Sequence, residues 1–277
     1  MRATRLFRQS LLWGPLLWGP LLWAALLCGG TPLVASDARA AGLTRAAVEA
    51  AQGEAQAAGQ GADFSSRDLS GLDLHGLDLS QADFTGADLS GADLSDCDLR
   101  RARLVGTALA GATLARARFN LAWIMAADFS GADLTQAVLE TLVVSHGLEI
   151  RPAEANTFVG ADLSGARVTA RFHRADFTGA RLTNLQASVD MRNQSMGLIR
   201  TEFTSAVLTG ADFSGAQLAR VDFQYARLRG ARFAGADLTR TDFAGADLTD
   251  ADFTGAETTD AVFDGATLTG TRGLPGR

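Results

Sequence analysis

Between residues 62 and 270 the chain repeats itself every five residues, and so short a period constrains the architecture before any local preference does. The longest unbroken run is residues 201–270, fourteen consecutive pentapeptides. Their centres alternate Phe203, Leu208, Phe213, Leu218, Phe223 and onward to Leu268, with Thr258 the one polar centre. Upstream, seventeen units hold a single register, with centres from Phe64 to Val144. Residues 147–155 break the pattern. It resumes with Phe158, Leu163 and Val168, drops one residue before Phe172, Phe177 and Leu182, and breaks again over 185–200. The repeat array is therefore read as residues 62–270 with two interruptions, followed by a tail at 271–277. Arrays of this kind grow one unit at a time, so chain length says nothing about domain count.

Within a unit such as Ala211-Asp212-Phe213 the order is small apolar, charged, large apolar. That alternation sends Ala and Phe to one side and Asp to the other, as in a three-residue strand. The next two residues, here Ser214 and Gly215, suit a corner, because Gly adopts backbone angles that other residues resist. A chain that turns the same way at every corner winds into a coil whose inward Leu, Phe and Ala fill a narrow interior. Each buried large centre contributes roughly 1.5–3 kcal/mol.

The Ala-Asp-Leu and Ala-Asp-Phe units closely resemble the pentapeptide-repeat family, and the resemblance covers about 37 units. It implies an all-β fold, a right-handed quadrilateral parallel β-helix with four units per coil. About nine coils at roughly 4.8 Å each make a rod on the order of 45 Å long. Four-fold winding stacks residues twenty apart. Phe203, Phe223, Phe243 and Phe263 then form one column, and Phe213, Phe233 and Phe253 another on the opposite face. Arg232 falls between Asp212 and Asp252, which predicts an ion-pair ladder.

The N-terminus has a different character. Arg2, Arg5 and Arg8 precede an uncharged run from Leu11 to Leu27, and Ala38-Arg39-Ala40 has cleavage-site spacing. Residues 1–40 read as a secretory signal peptide. Val34-Ala35-Ser36 is an alternative cleavage site, and bulky Leu27 argues against lipidation at Cys28. Pro15, Pro20, Gly14 and Gly19 interrupt the apolar run, which disfavours a permanent span. The expected location is periplasmic or secreted (bacterial) after cleavage, or alternatively membrane-anchored, with membrane contact only through an uncleaved N-terminal segment. Residues 41–61 read as a linker or an N-terminal capping helix, with Thr44 capping a helix to about Ala58 and Leu43 and Val48 as its apolar contacts.

All 25 basic residues are Arg, and the formal net charge is -6. Outward positions of the first two coils are all acidic, from Asp63 to Asp98, whereas Arg167, Arg171, Arg174 and Arg181 make the middle more basic. One patch departs from the pattern. Trp123 occupies an outward position, Val143 lies twenty residues on, Val138 is also outward, and the first interruption carries Leu148, Ile150 and Arg151. These six residues form a candidate partner contact. The alternative is that the interruption folds back and covers Trp123. Met191, Met196, Leu198 and Ile199 give the second interruption a similar character.

Nothing in the sequence calls for catalysis. His75, His146 and His173 have no metal-binding spacing, the many Ser and Asp are required by the repeat, and the Gly residues belong to corners rather than to a phosphate loop. No enzyme activity, cofactor or metal is expected, and no direct nucleic-acid binding, since basic patches with interleaved aromatics are absent. The favoured reading is an exported, non-enzymatic scaffold or protein-interaction module with an unknown protein partner. The family resemblance supplies the alternative, an acidic DNA-mimic that binds a type II topoisomerase, as some cytoplasmic members do to protect gyrase from quinolones. Residues 271–277 offer no helix for the dimer those members use. The open C-terminal coil edge nevertheless invites pairing with a second copy as a homodimer.

Overall fold

The computed structural model describes residues 43–140, 151–188 and 200–274. The signal segment lies outside the described residues. In the unit that begins at Ala87, Ala87 and Leu89 are buried, Asp88 faces out, and Ser90 and Gly91 make the corner. Nearly all described units repeat that side and corner. The outward residue of each side forms a parallel bridge with the outward residue of the next coil, in four columns that start at Asp63, Asp68, Asp73 and Asp78. These columns define faces 1 to 4 of a coiled solenoid.

Three backbone bonds per side tie one coil to the next. For the side at Asp88, the Asp88 amide donates to the Arg67 carbonyl at 2.9 Å, Leu89 to Ala108 at 2.8 Å, and Gly91 to Ala110 at 2.9 Å. A fourth bond, from Ala92 to Leu89 at 3.1 Å, closes the corner within the coil. The polar backbone of a buried, turning chain is thereby satisfied. Each side is only three residues long, and among the described residues extended pairing is seen in two short parallel strands, β1 (Val138–Glu140) and β2 (Arg167–Thr169), with Val138 opposite Arg167.

The bridges also show how the interruptions are absorbed. Column 2 steps from Asp128 to Thr157, then to Asp176, then to Val207, and by twenty thereafter. The chain makes one long excursion, loses one residue, makes a second excursion, and returns to its column each time. The second excursion begins later than the repeat pattern suggests. Gln186 bridges both Arg167 and Gln217, and Ala187 sits buried at a centre. A small Ala at a position normally filled by Leu or Phe hid this last unit, so the array runs to Ala187 and not to residue 185.

Inside, the Phe columns form as the four-fold winding requires. On face 1, Phe203, Phe223, Phe243 and Phe263 stack at centroid spacings of 5.1, 5.2 and 5.3 Å, and on face 3 Phe213, Phe233 and Phe253 stack at 5.2 and 5.0 Å. Rings of the two columns meet edge to face, as Phe213 meets Phe223 at 84°. Both geometries are favoured by the ring quadrupole. Where a polar residue replaces the inward Ala, it finds a backbone acceptor. The Thr107, Thr201 and Thr241 hydroxyls donate to the carbonyls of Phe84, Val168 and Leu218 at 2.8, 3.0 and 2.9 Å. The Cys97 thiol points at the Leu74 carbonyl, and burial pushes it up to about 12.

The first coil would present an unpaired edge. Helix α1 (Arg45–Ala57) lies across it, with the Thr44 side chain accepting from the Ala47 amide at its start. Val48 is fully buried, and Arg45 donates to Asp73 and to the His75 carbonyl. Gln52, 3% exposed, donates to the Ser80 carbonyl and accepts from the Ala62 amide, both at 3.0 Å. One side chain thus satisfies a donor and an acceptor that the coil edge leaves open. Replacing Gln52 with Ala strands both groups. The expected loss is about 1–3 kcal/mol, measurable as a lower urea midpoint.

Candidate interaction surface

The outward acids do more than face solvent. Asp88 accepts a hydrogen bond from the Ser90 amide at 2.9 Å, and Asp83, Asp133, Asp162 and Asp237 do the same two residues on. At some corners the Ser or Thr hydroxyl adds a second bond, as in Asp212 with Ser214 at 2.5 Å and Asp247 with Thr249 at 2.6 Å, whereas the Thr85 hydroxyl is buried without one. This is an Asx-turn, and it explains why the repeat prefers Asp at the outward position and Ser or Thr at the corner. The hydroxyl two residues on is the largest cause holding the carboxyls of Asp63, Asp68, Asp93, Asp247 and Asp252 below the usual range. It also limits the ladder expected around Arg232. Asp212, Arg232 and Asp252 share a column and Arg232 helps to hold the Asp252 carboxyl low, but both acids bond their own corners and the close ion pair of Asp252 is with Arg272 at 3.7 Å.

The four edges of the solenoid are not alike. The corner residue adopts positive φ, which suits Gly. On the edge between faces 2 and 3, Gly71, Gly91, Gly111, Gly131, Gly160, Gly179, Gly210, Gly230 and Gly270 occupy that place, and only Asp250 departs. On the edge between faces 4 and 1, none of the described corners uses Gly. Gln81, Arg101, Leu121, Arg220, Arg240 and Asp260 hold φ between 57° and 66°. Each non-Gly residue there costs about 1–2 kcal/mol relative to an ordinary conformation. The three remaining passages over this same edge are the two excursions and the shortened unit between Val168 and Phe172. Both excursions and the shortened unit fall on one edge.

Trp123 and Val138 flank that edge. Trp123 lies on face 1 and Val138 on face 4, both half-buried, at the two ends of one coil. Arg103 stands between Asp83, at 3.4 Å, and the Trp123 ring, whose centroid is 5.8 Å from its guanidinium carbon. Arg151 is exposed where the chain returns through a short 3₁₀ turn, Pro152–Glu154, and the Glu154 carbonyl accepts from Ala126 at 2.9 Å. Val143, Leu148 and Ile150 lie outside the described residues, as do Met191, Met196, Leu198 and Ile199.

A charge network not apparent from the sequence secures the return from the second excursion. His173 Nε2 is 2.7 Å from Glu202, with Arg171 at 3.4 Å and Arg200 at 3.6 Å from the same carboxylate. Arg200 also reaches the buried Asp222 at 2.7 Å. Paired and hydrogen-bonded, buried Asp222 avoids the cost of an isolated charge. The signal was present as outward Arg171 and Glu202, but the length of the intervening excursion concealed that they stack.

The repeat, the coil and the corners define a pentapeptide-repeat solenoid. A family model described as pentapeptide repeats matches eight copies over residues 62–101, 102–140, 198–224, 216–255 and 247–272, more than half of the chain. The chain belongs to the pentapeptide-repeat family. Among solved structures it is similar to HetL, a pentapeptide repeat protein involved in heterocyst differentiation regulation from the cyanobacterium Nostoc sp., at 26% identity over 80% of this chain and 96% of that one, with a TM-score of 0.31. It is also similar to QnrB1, a plasmid-mediated fluoroquinolone resistance protein, at 20% identity over 74% and 90% of the two chains, with a TM-score of 0.27. A third is a pentapeptide repeat protein from the Arabidopsis thaliana thylakoid lumen, at 28% identity over 43% and 71%, with a TM-score of 0.25. No curated protein matches the chain.

The Asx-turns give stability a defined pH dependence. Asp63, Asp68, Asp93, Asp247 and Asp252 titrate below 3.8 when folded and near 3.8 when unfolded. Their contribution is therefore complete above 3.8 and is lost as pH falls through the lower folded values. Melting temperature followed by circular dichroism should decline with acid in that window. A variant carrying Asn at all five positions, which keeps the acceptor oxygen, should decline less steeply.

Proposed function

We propose that this protein is an exported, non-enzymatic scaffold that presents the edge between faces 4 and 1 to a protein partner. The observation that carries the reading is the concentration of irregularity on that edge. Non-Gly corners occur on the other edges as well, ten among the described residues, but only this edge lacks Gly at every described corner and is also crossed by both excursions and the shortened unit. Backbone strain and insertion cluster where a surface is used. Trp123, Val138 and Arg151 flank the same line and supply an aromatic and an aliphatic contact with an adjacent cation. Val143, Leu148 and Ile150 belong to the proposed contact through their place in the first excursion. The winding is taken as right-handed and four-sided, as in the family.

Export rests on the N-terminal sequence: three Arg, an uncharged apolar run and a small-residue cleavage motif. The topoisomerase-binding DNA-mimic reading gains little from the acidic columns, because their carboxylates are directed at their own corners. The same carboxylates account for the acidity without a mimicry role.

Cellular fractionation with N-terminal sequencing tests the location. A mature chain beginning near Ala41 outside the cytoplasm is expected, and an intact chain in the cytosol would overturn export and move the supercoiling assay to first place. Trp123→Ala tests the surface. Its ring is half-buried against Arg103, so the melting temperature should fall only slightly while cross-linked partner recovered from the native compartment drops several-fold. Unchanged partner recovery would remove Trp123 from the contact.

A further inference from the structure

The first three passages of the glycine-free edge frame a groove of about 540 Å³ lined by Gln81, Arg100, Arg101, Arg118, Asn120 and Leu121. We propose that this groove is a binding site for a small oxyanion ligand, a phosphate ester or a polycarboxylate, held by the guanidinium groups of Arg101 and Arg118. The inference goes beyond the scaffold reading and stands whether or not a protein partner exists.

Charge makes the groove exceptional in this molecule. The chain carries a net -6, and the eight outward positions of the two coils from Asp63 to Asp98 are all acidic. Three Arg nevertheless converge on one opening. Their charges are not equally spent. Arg100 is engaged by Asp98, with its Nε 2.8 Å from both carboxylate oxygens and a second guanidinium nitrogen at 2.6 Å. Among the described residues neither Arg101 nor Arg118 forms a close ion pair, although Arg118 stands next to Asp98 in its column and helps to hold that carboxyl low, and Arg103, Arg116 and Arg167 nearby are each paired. Asp98 and Glu140 border the groove and offset part of its charge, which leaves Arg101 and Arg118 as the guanidiniums open to an incoming anion. Each presents a planar fork that matches the oxygens of a carboxylate or phosphate.

The surroundings fit a small ligand. The volume falls within the usual range for small-molecule sites, roughly 300–1,000 Å³. Gln81 supplies an amide, and the Asn120 amide is steadied by its bond to Glu140 at 3.2 Å. Leu121, 44% exposed, forms an apolar lip suited to the carbon skeleton that carries the anion. The backbone supplies an independent indication. Gln81, Arg101 and Leu121 stack at the corner position with φ of 64°, 61° and 63°, whereas on the opposite edge Gly71, Gly91 and Gly111 take the same conformation without strain. The fold does not require a side chain at position 101. Non-Gly residues hold the same conformation at other edges too, as Ser66, Asp96 and Arg116 do, but along this edge three of them in succession line one groove.

The test uses the full chain in low salt, titrated calorimetrically with sodium pyrophosphate and, in parallel, with citrate. Saturable one-to-one binding of at least one probe is expected, weakening as salt is added. Preference for pyrophosphate assigns a phosphate ester, and preference for citrate a polycarboxylate. Arg101→Gln and Arg118→Gln should each weaken binding by about tenfold or more. Arg229→Gln, on the opposite edge, should leave it unchanged. Arg101→Gly separates binding from folding: it relieves the positive φ, so the melting temperature should hold or rise while affinity is lost. The proposal is overturned if neither probe binds, if binding survives the loss of both Arg101 and Arg118, or if Arg229→Gln weakens it equally.

Discussion

Every coil of this protein is held to its neighbour by backbone hydrogen bonds that require residues one turn apart to lie in register. That requirement governs the rest. It makes the outward residues into columns, forces the inward Phe rings to stack at about 5 Å, and demands that any insertion return the chain to the column it left. The steps from Asp128 to Thr157 and from Asp176 to Val207 meet the demand, and so does the shortened step from Thr157 to Asp176. A sequence can add or drop residues here only where a side has just ended.

Corners carry the second constraint. Each must pass through a left-handed residue, and Gly does so without strain. Where Asp precedes the corner, its carboxylate binds the amide two residues on and helps to hold the bend, so acidity and geometry are the same feature. The solenoid consequently acquires a negative surface as a by-product of turning. An acidic column in such a protein is weak evidence for mimicry of a nucleic acid. The informative residues are those that do not serve the corner: Arg at a left-handed position, Trp at an outward one, or an excursion.

On this chain many of those residues lie along one edge, though Arg116 and Arg174 hold left-handed corners elsewhere. Gln81, Arg101 and Leu121 open a cationic groove near the N-terminal end, Trp123 and Val138 flank the first excursion, and Arg171, His173, Arg200, Glu202 and Asp222 secure the second. The opposite edge is nearly all Gly. A rod built from repeated units thus has edges that differ, from one nearly all Gly to one without Gly at any described corner. The stacked Phe columns and the α1 helix provide a rigid support for that edge.

Much of this was legible in the residues. The five-residue period, the alternation within each unit and the stacking of Phe203 on Phe223 follow from local chemistry repeated without change. The Thr44 cap lies just ahead of the helix it begins. Trp123 stands out in the sequence as an outward aromatic, but the Gly-free edge it flanks does not, although placing Gln81, Arg101 and Leu121 in four-fold winding shows the missing Gly. Other features lay beyond sequence reasoning for physical reasons. Ala187 fills a centre that a larger residue usually marks. Arg232 stands in the right column for an ion pair, yet the acids on either side are held by Ser214 and Thr254. Glu202 meets His173 only because an excursion of unknowable path returns in register. The sequence by itself determined the period, the inward and outward sides and the composition of each corner, because these depend on residues five apart. Only the tertiary structure decided which side chains meet across coils and which edge gathers the exceptions, because those depend on where the chain comes back.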